Sequence, residues 1–373
     1  MRTWIEVKKE NIEHNCKVFR SLIGPDRLLA AVVKSNAYGH NLIDFSLEAE
    51  SMDIDLLAVD SIIEGKTLRE KGVKKPILVL GYTLKDDVEY AASNNISLTI
   101  ADFPTLENLQ NIKSGKNKIK IHLKIDTGMH RQGFFVSEIP EVIRTLKRLK
   151  DKIVTEGIYT HFASAKNPSF RAVTMGQIGD FKKATDVMEK EGFQNLTKHA
   201  AATSGTIIFP ESHFDMVRVG IGVYGLWPSK ETKAAFKNKL SLKPVLSWKT
   251  IISQVKELPE GSFVGYDMTE RLDRPSRVAI LPIGYWHGFP LSLSSIGEVI
   301  IRGEKAKVLG RVCMDMTLVD ITDIKDVKIG DEVTLIGKEG EEEIAADDLS
   351  FLAGTSTYEI ITCLNPRIKR VFT

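Results

Sequence analysis

The stretch Ala31-Val-Val-Lys-Ser-Asn-Ala-Tyr-Gly-His40 puts one lysine where an apolar run, Leu28 to Val33, gives way to polar and glycine-containing sequence. A buried strand that ends in a loop with a single amine, Lys34, at its tip has this pattern. Burial disfavours a charged amine, and a desolvated lysine can form a Schiff base with an aldehyde. A lysine there could equally snorkel its head to solvent. Polar side chains recur just past other apolar runs. They stand in Leu123-Lys-Ile-Asp-Thr-Gly-Met-His-Arg131, in Tyr159-Thr-His161, in Ala202-Thr203-Ser204-Gly205, and at Arg218 before Gly220-Ile221.

Each of these has a plain alternative. His161 could be a satisfied structural histidine, Arg218 a salt-bridge partner, Lys124 the mate of any carboxylate, and Thr203-Ser204-Gly205 a helix cap. A common chemistry needs them to converge. A turn of Ser and Gly opening a short helix can hold a phosphate through backbone N–H groups. Together with a Schiff-base lysine it suits pyridoxal phosphate.

Convergence requires a scaffold that brings many strand ends to one place. Candidate strands are Leu28–Lys34, Leu56–Asp60, Ile77–Tyr82, Leu98–Asp102, Ile119–Asp126, Val154–Phe162, Thr197–Thr203 and Met216–Tyr224. Several are continuous Val/Ile/Leu runs, as in parallel strands buried on both faces. Helical patterns separate most of them, for example the segment from Asp60 to Arg69 and Glu138–Leu149, and Pro104 precedes another near Leu106. About eight β-α units over about 240 residues predict an α/β fold with an N-terminal (β/α)8 TIM-like barrel, whose sites lie at the strand C-termini. An open doubly wound sheet would often show a glycine-rich first turn. No GxGxxG follows the first strand.

Past about Leu240 the texture changes to short β runs: Val245–Gln254, Arg277–Ile283, Glu298–Arg302, Lys307–Cys313 and Glu332–Ile336, separated by turn signals. The expected organisation is a barrel over residues 1–235 and a C-terminal mainly-β domain over 236–373, with Lys230–Leu240 as the joint. A chain of 373 residues suits two domains. A formal net charge of +2 indicates no polyanion, so no nucleic-acid partner is expected. Three widely spaced cysteines suggest neither a disulfide framework nor a zinc site, and no metal is expected. No signal peptide or membrane-length apolar run is evident, so a cytoplasmic location is the expectation.

The chain resembles alanine racemases over essentially its whole length, from Thr3-Trp-Ile-Glu-Val to Pro366-Arg-Ile-Lys-Arg-Val371. The resemblance rests on an ordered set of motifs. These are Val33-Lys-Ser-Asn-Ala-Tyr-Gly-His40, Leu123–Arg131, Glu156-Gly-Ile-Tyr-Thr-His-Phe162, Val217-Arg-Val-Gly-Ile221, Val264-Gly-Tyr266, Pro282-Ile-Gly-Tyr285 and Gly310-Arg-Val-Cys-Met-Asp315. It implies pyridoxal 5′-phosphate as cofactor, L- and D-alanine as the interconverted pair, and a head-to-tail homodimer with shared active sites. It implies Lys34 and Tyr266 as two catalytic bases, the tyrosine entering from the partner subunit. Arg218 would face the cofactor's pyridine nitrogen with His161 bonding to it. Tyr38, Thr203 or Ser204, Gly220 and Ile221 would surround its phosphate. Arg131, Met314 and Tyr285 would contact substrate, Lys124 would be a carbamylated lysine steadying Arg131, and Asp315 would lie near the entrance.

The sequence departs from the family pattern in several places. Asp267 and His130 stand where glycine is usual, and Ala202-Thr203 replaces Asn-Ser. Trp286-His287 replaces Ala-Asp, and Pro366 replaces a phosphate-binding tyrosine. None removes a base, but they bear on substrate choice and phosphate contacts. A racemase of the same mechanism acting on serine, lysine or ornithine is the nearest alternative. A barrel decarboxylase would place an acidic residue where Arg218 stands. A non-catalytic cofactor carrier would resemble the barrel alone.

Overall fold

The computed structural model describes residues 1–112 and 117–373. The chain divides into two compact units: Glu10–Ala37 with Leu42–Lys243, and Met1–Lys9 with Tyr38–Asn41 and Pro244–Thr373.

The first unit is a closed barrel of eight parallel strands. They are β1 (Leu28–Val32), β2 (Leu56–Val59), β3 (Ile77–Val79), β4 (Ile96–Ile100), β5 (Ile119–Asp126), β6 (Ile153–Tyr159), β7 (Thr197–Ala202) and β8 (Met216–Val219). Neighbours in sequence pair in order, and β8 returns to β1 with Val217 opposite Leu29, which closes the ring. The Leu-Leu-Ala-Ala-Val and Leu-Leu-Ala-Val runs of β1 and β2 are apolar throughout because both sheet faces are covered. Helices follow the strands. Ile62–Glu70 starts at a capping box in which Ser61 and Glu64 satisfy each other's backbone N–H groups. Phe103–Asn108 carries Pro104 in its first turn and is capped by Asp102. Ile139–Arg148 buries Ile139, Val142, Ile143 and Leu146 on one stripe.

The strand expected over Met216–Tyr224 stops at Val219. From Gly220 the backbone turns, with the Val223 amide bonded to the Gly220 carbonyl and that of Gly225 to Gly222. Three glycines in six residues remove the side chains that would extend the sheet. The Lys230–Leu240 stretch contains a short helix, Lys230–Phe236, with Ser229 capping its N-terminus.

The second unit is mainly β. Its large sheet contains Leu246–Ile251, Gln254–Leu258, Ser276–Leu281, Glu298–Ile301, Glu304–Leu309, Thr317–Asp320 and Glu332–Glu339. Thr3–Val7 joins it antiparallel to Leu246–Ile251 and parallel to Lys369–Phe372, so both ends of the chain lie in this unit. Trp248 and Phe289 fill its core, their rings 6.1 Å apart.

Candidate active site

β1 ends at Val32, and Lys34 opens a turn in which Ser35, Asn36, Ala37 and Tyr38 all have φ between 50° and 57°. A left-handed conformation costs an L-residue roughly 1–2 kcal/mol, so four in succession need compensation. It comes from fixed partners. The Ser35 amide donates to Glu64 Oε1 (2.7 Å), that of Leu42 to Asn36 Oδ1 (2.9 Å), and that of Ala37 to the Val33 carbonyl (2.8 Å). Lys34 Nζ pairs with Asp60 at 2.9 Å and keeps 36% of its side chain exposed. The amine therefore keeps contact with water, as the snorkelling alternative has it, because the strand stops two residues before it.

Deeper in the barrel, Arg218 is 3% exposed. Its Nη1 donates to His199 Nδ1 (2.7 Å), and its Nη2 donates to the carbonyls of Thr160 (2.8 Å) and Ala200 (3.0 Å). His161 Nδ1 lies farther from Nη2, at 3.4 Å. Among the described residues no carboxylate lies within ion-pairing distance of Arg218. Burial pulls its pKa down to about 10, which leaves it charged at neutral pH. His199 stacks on Tyr159 with ring centroids 4.6 Å apart and planes 6° from parallel. The Tyr159 ring also carries Arg218 at 4.9 Å and the Lys124 amine at 4.3 Å. Tyr159 is fixed in turn by Thr99, hydroxyl to hydroxyl at 2.9 Å.

Positive charge crowds this region. Burial first, then the charges of Arg218 and Arg131, holds the Lys124 amine well below its ordinary pKa. Burial, followed by Arg218, Lys124, Arg131 and Lys34, does the same to the His161 imidazole. Arg131 itself is exposed on the loop after β5. One carboxylate oxygen of Asp126 gathers the amides of Gly128, Met129 and His130 at 2.9, 3.1 and 3.0 Å, which shapes that loop. His130, at φ 53°, sits 3.5 Å from the other oxygen. After β7, Thr203 Oγ1 accepts from the amides of Gly220 (3.2 Å) and Gly222 (3.3 Å), which fastens the Thr203-Ser204 turn to the Gly220-Ile221 turn. A Cβ at Gly222 would meet the buried Phe19 ring at 2.3 Å, so a side chain there would force that ring to shift.

The second unit presents its candidates from backbone turns. Tyr266 follows Gly265 (φ 79°) and is 66% exposed. Asp267 adopts φ 59° and pairs with Arg311 at 3.1 Å, so the carboxylate standing in place of glycine ties this turn down. A Cβ at Gly310 would lie 2.5 Å from the Val264 carbonyl, so Val264-Gly-Tyr266 and Gly310–Asp315 approach backbone to backbone. The amides of Tyr285 and Trp286 donate to the carbonyls of Cys313 and Met314, each at 3.0 Å, bringing Tyr285 beside Met314. Gly284 is required there, since its Cβ would stand 2.1 Å from the Cys313 carbonyl oxygen. Buried His287 accepts the Gly284 amide at 3.2 Å and lies 3.9 Å from Asp315. Pro366 sits in a turn held by Asn365, which also donates to the Trp286 carbonyl at 2.9 Å. Tyr38 lies 6.1 Å, ring to ring, from Tyr358, and Gly39 fits so tightly that a Cβ would meet the Ile361 carbonyl at 1.9 Å.

Within the barrel unit, Lys124, His161 and Arg218 thus join one network, and Thr203 and Gly220 another. Within the β unit, Tyr266, Tyr285, Met314 and Asp315 lie on turns that lock together. Sequence reasoning missed His199, the shorter imidazole partner of Arg218, together with His122, and gave Tyr159 no role of its own. The available signal was a histidine inside each of two barrel strands, flanked at 122 by Ile121 and Leu123.

Family models for the N-terminal and C-terminal domains of alanine racemase match residues 7–228 and 245–372. The chain belongs to the alanine racemase family. Alanine racemase of Leptospira interrogans is 37% identical over 99% of this chain and 95% of its own length. That of Methanococcus maripaludis is 37% identical over 99% and 98%. Among solved structures, alanine racemase of Bacillus anthracis with bound L-Ala-P superimposes with a TM-score of 0.94 at 32% identity, covering 100% of this chain and 95% of that one. The family match extends through the β unit. Among the described residues no helix is long and apolar enough to cross a membrane, and no cluster of His, Cys, Asp and Glu could hold a metal ion.

Proposed function

We propose that this protein interconverts L- and D-alanine with pyridoxal 5′-phosphate as cofactor, using Lys34 and Tyr266 as bases. The observation that carries the reading is Arg218, a buried guanidinium held by imidazole and carbonyl acceptors and, among the described residues, with no carboxylate within ion-pairing distance. The donor set fits the cofactor. Thr203 Oγ1 already accepts two amides, so its O–H remains to bind an anion, with Ser204, Gly220, Ile221 and Tyr38 as the other phosphate contacts.

When bound, the cofactor supplies an electron sink that acidifies the substrate Cα–H. Lys34 would hold it covalently and would move the proton on one face of the substrate. The partner subunit's Tyr266 moves it on the other, so inversion needs both bases. Arg218 would face the ring nitrogen with donors only, steadied by His161 and His199. Having no acceptor, it cannot share a proton there, and this disfavours reactions that depend on a protonated ring. Arg131 and the Met314 amide hold the substrate carboxylate, Tyr285 bounds the substrate, and Asp315 lies near the entrance. Burial and the neighbouring arginines hold the Lys124 amine well below its ordinary pKa, which favours the neutral form that can be carbamylated, and the resulting carboxylate would steady Arg131.

The same reading makes the enzyme a head-to-tail homodimer. The exposed Phe263, Tyr266 and Met268 of one short segment support a protein partner there. The three cysteines are free thiols, in keeping with the cytoplasm, where D-alanine would serve peptidoglycan synthesis. Incubation with each L-amino acid in deuterated water tests the assignment. L-alanine should give D-alanine with deuterium at Cα, and amine release with loss of the carboxyl group would replace it with a decarboxylase. Mixed Lys34→Ala and Tyr266→Phe proteins should regain part of the activity, and no recovery despite demonstrated subunit exchange would remove the shared site.

A further inference from the structure

Arg218 is the end of a longer chain of contacts that runs down the barrel interior. His199 Nδ1 faces an arginine N–H, which can only donate, so Nδ1 accepts and the neutral ring carries its proton on Nε2. That N–H points at His122 Nδ1, 2.9 Å away. His122 must accept there, so its own proton lies on Nε2, the ring nitrogen on the side of Glu156, whose Oε2 lies 4.0 Å away, beyond hydrogen-bond distance. The Glu156 carboxylate is held by the Ser97 hydroxyl at 2.5 Å and the Lys120 amine at 2.7 Å. The donors on Arg218, His199 and His122 therefore all point the same way.

Two features of the backbone build this chain. The pairing of β5 with β6 slips between Ile121–Thr155 and His122–Gly157, which leaves Glu156 as the extra residue of a bulge beside His122. Bulges of this kind re-aim a side chain. Gly157 then leaves room for the His122 ring, since a Cβ at 157 would lie 2.4 Å from Nδ1 and 2.6 Å from Cε1. The Glu156-Gly157 pair, quoted above only as part of a motif, thus has a physical task.

We propose that His122 is a positioning residue for Arg218, acting through the tautomer it imposes on His199. The inference rests on the reading in which Arg218 faces the cofactor ring. Remove the acceptor at His122, and the His199 Nε2–H is left buried without a partner. The ring can then move its proton to Nδ1, where it collides with the Arg218 N–H. Burial keeps both imidazoles neutral, as the scheme requires, with His122 pushed down to about 4 and His199 well below its ordinary value. The charged groups acting on the pair are Arg218, Lys124, Lys120 and Glu156.

The test uses the holoenzyme with ¹⁵N-labelled histidine rings, eight in all, assigned by single replacements. Wild-type His199 should show a neutral ring protonated at Nε2 from pH 6 to 9. A proton on Nδ1 in the wild-type protein overturns the proposal without any variant. His122→Leu should shift the His199 nitrogens and lower kcat tenfold or more in both directions, with KM within threefold. His122→Asn, which returns an acceptor near the Nδ1 position, should bring both back to within threefold of wild type. The proposal fails if the leucine variant keeps the wild-type His199 pattern or rate. It also fails if the asparagine variant falls equally far, which would show that the ring only fills space. Arg218→Lys is the reference. If it loses turnover where His122→Leu does not, only the positioning role is lost. If neither loses turnover, the placement of Arg218 at the cofactor has failed.

Discussion

The barrel unit and the β unit hold their candidate residues by opposite means. In the barrel, Arg218, Lys124, His199 and Tyr159 are buried, and each is fixed by side-chain partners of its own. In the β unit, Tyr266, Tyr285 and Met314 project from turns, and what is fixed is the backbone beneath them, clasped at Gly284 and Gly310. A buried polar group must be satisfied wherever it points, so the barrel couples function to folding. An exposed side chain on a rigid turn can be exchanged with little cost to the fold.

Substitutions can break or sharpen this contrast. Lys34→Ala, in the barrel unit, should abolish turnover and the visible absorbance of bound cofactor, while melting close to wild type because the amine is half-exposed. Retained absorbance would remove the covalent role. Tyr266→Phe should lower turnover by about 10²–10⁴-fold, the usual range for a lost acid–base group, and leave unfolding free energy within about 0.5 kcal/mol. The two alanine enantiomers should be affected unequally, and equal wild-type rates in both directions would end the two-base scheme. Arg218→Leu should cost both activity and about 3 kcal/mol of stability in denaturant titration, because it strands an imidazole and two carbonyls. If it were as stable as Tyr266→Phe, the contrast between the units would be wrong. Gly284→Ala should destabilise by about 2 kcal/mol through the clash at Cys313, which would show that in the β unit the backbone is the sensitive part.

A further expected effect is that of pH. His122 is pushed down to about 4 by burial, against 6.5 for an unconstrained imidazole, and His161 and His199 are lowered for the same reason. Neutral burial of this kind contributes stability that is complete above about 6.5 and is lost as pH falls through about 4. In the β unit His287 is also lowered by burial. Hydrogen exchange at pH 7 and pH 5 should show protection falling more in the barrel strands than in the β sheet, and an equal loss in both would contradict this.

Much of the frame was legible in the sequence because its signals are local. The apolar run at Ile119–Asp126 marks a strand over the same residues in the structure, and the helical pattern from Asp60 to Arg69 corresponds to the helix Ile62–Glu70. The ordered motifs identified the family, since residue types in a fixed sequence order need no coordinates. The strand over Met216–Tyr224 was overextended because apolar character continues through residues whose glycines turn the chain.

Tertiary structure alone decided which distant groups meet. Thr3–Val7 lies beside Lys369–Phe372, though nothing in either segment names the other. Four successive left-handed residues after Lys34 are tolerated because Glu64 accepts the Ser35 amide, a contact that depends on how β1 and β2 lie together. His122 and His199 read as ordinary interior residues until closure of the barrel sets them 2.9 Å apart and aligns them with Arg218. Periodicity reports which residues are buried. Hydrogen-bond partners across a closed sheet depend on register, and one bulge at Glu156 was enough to set it.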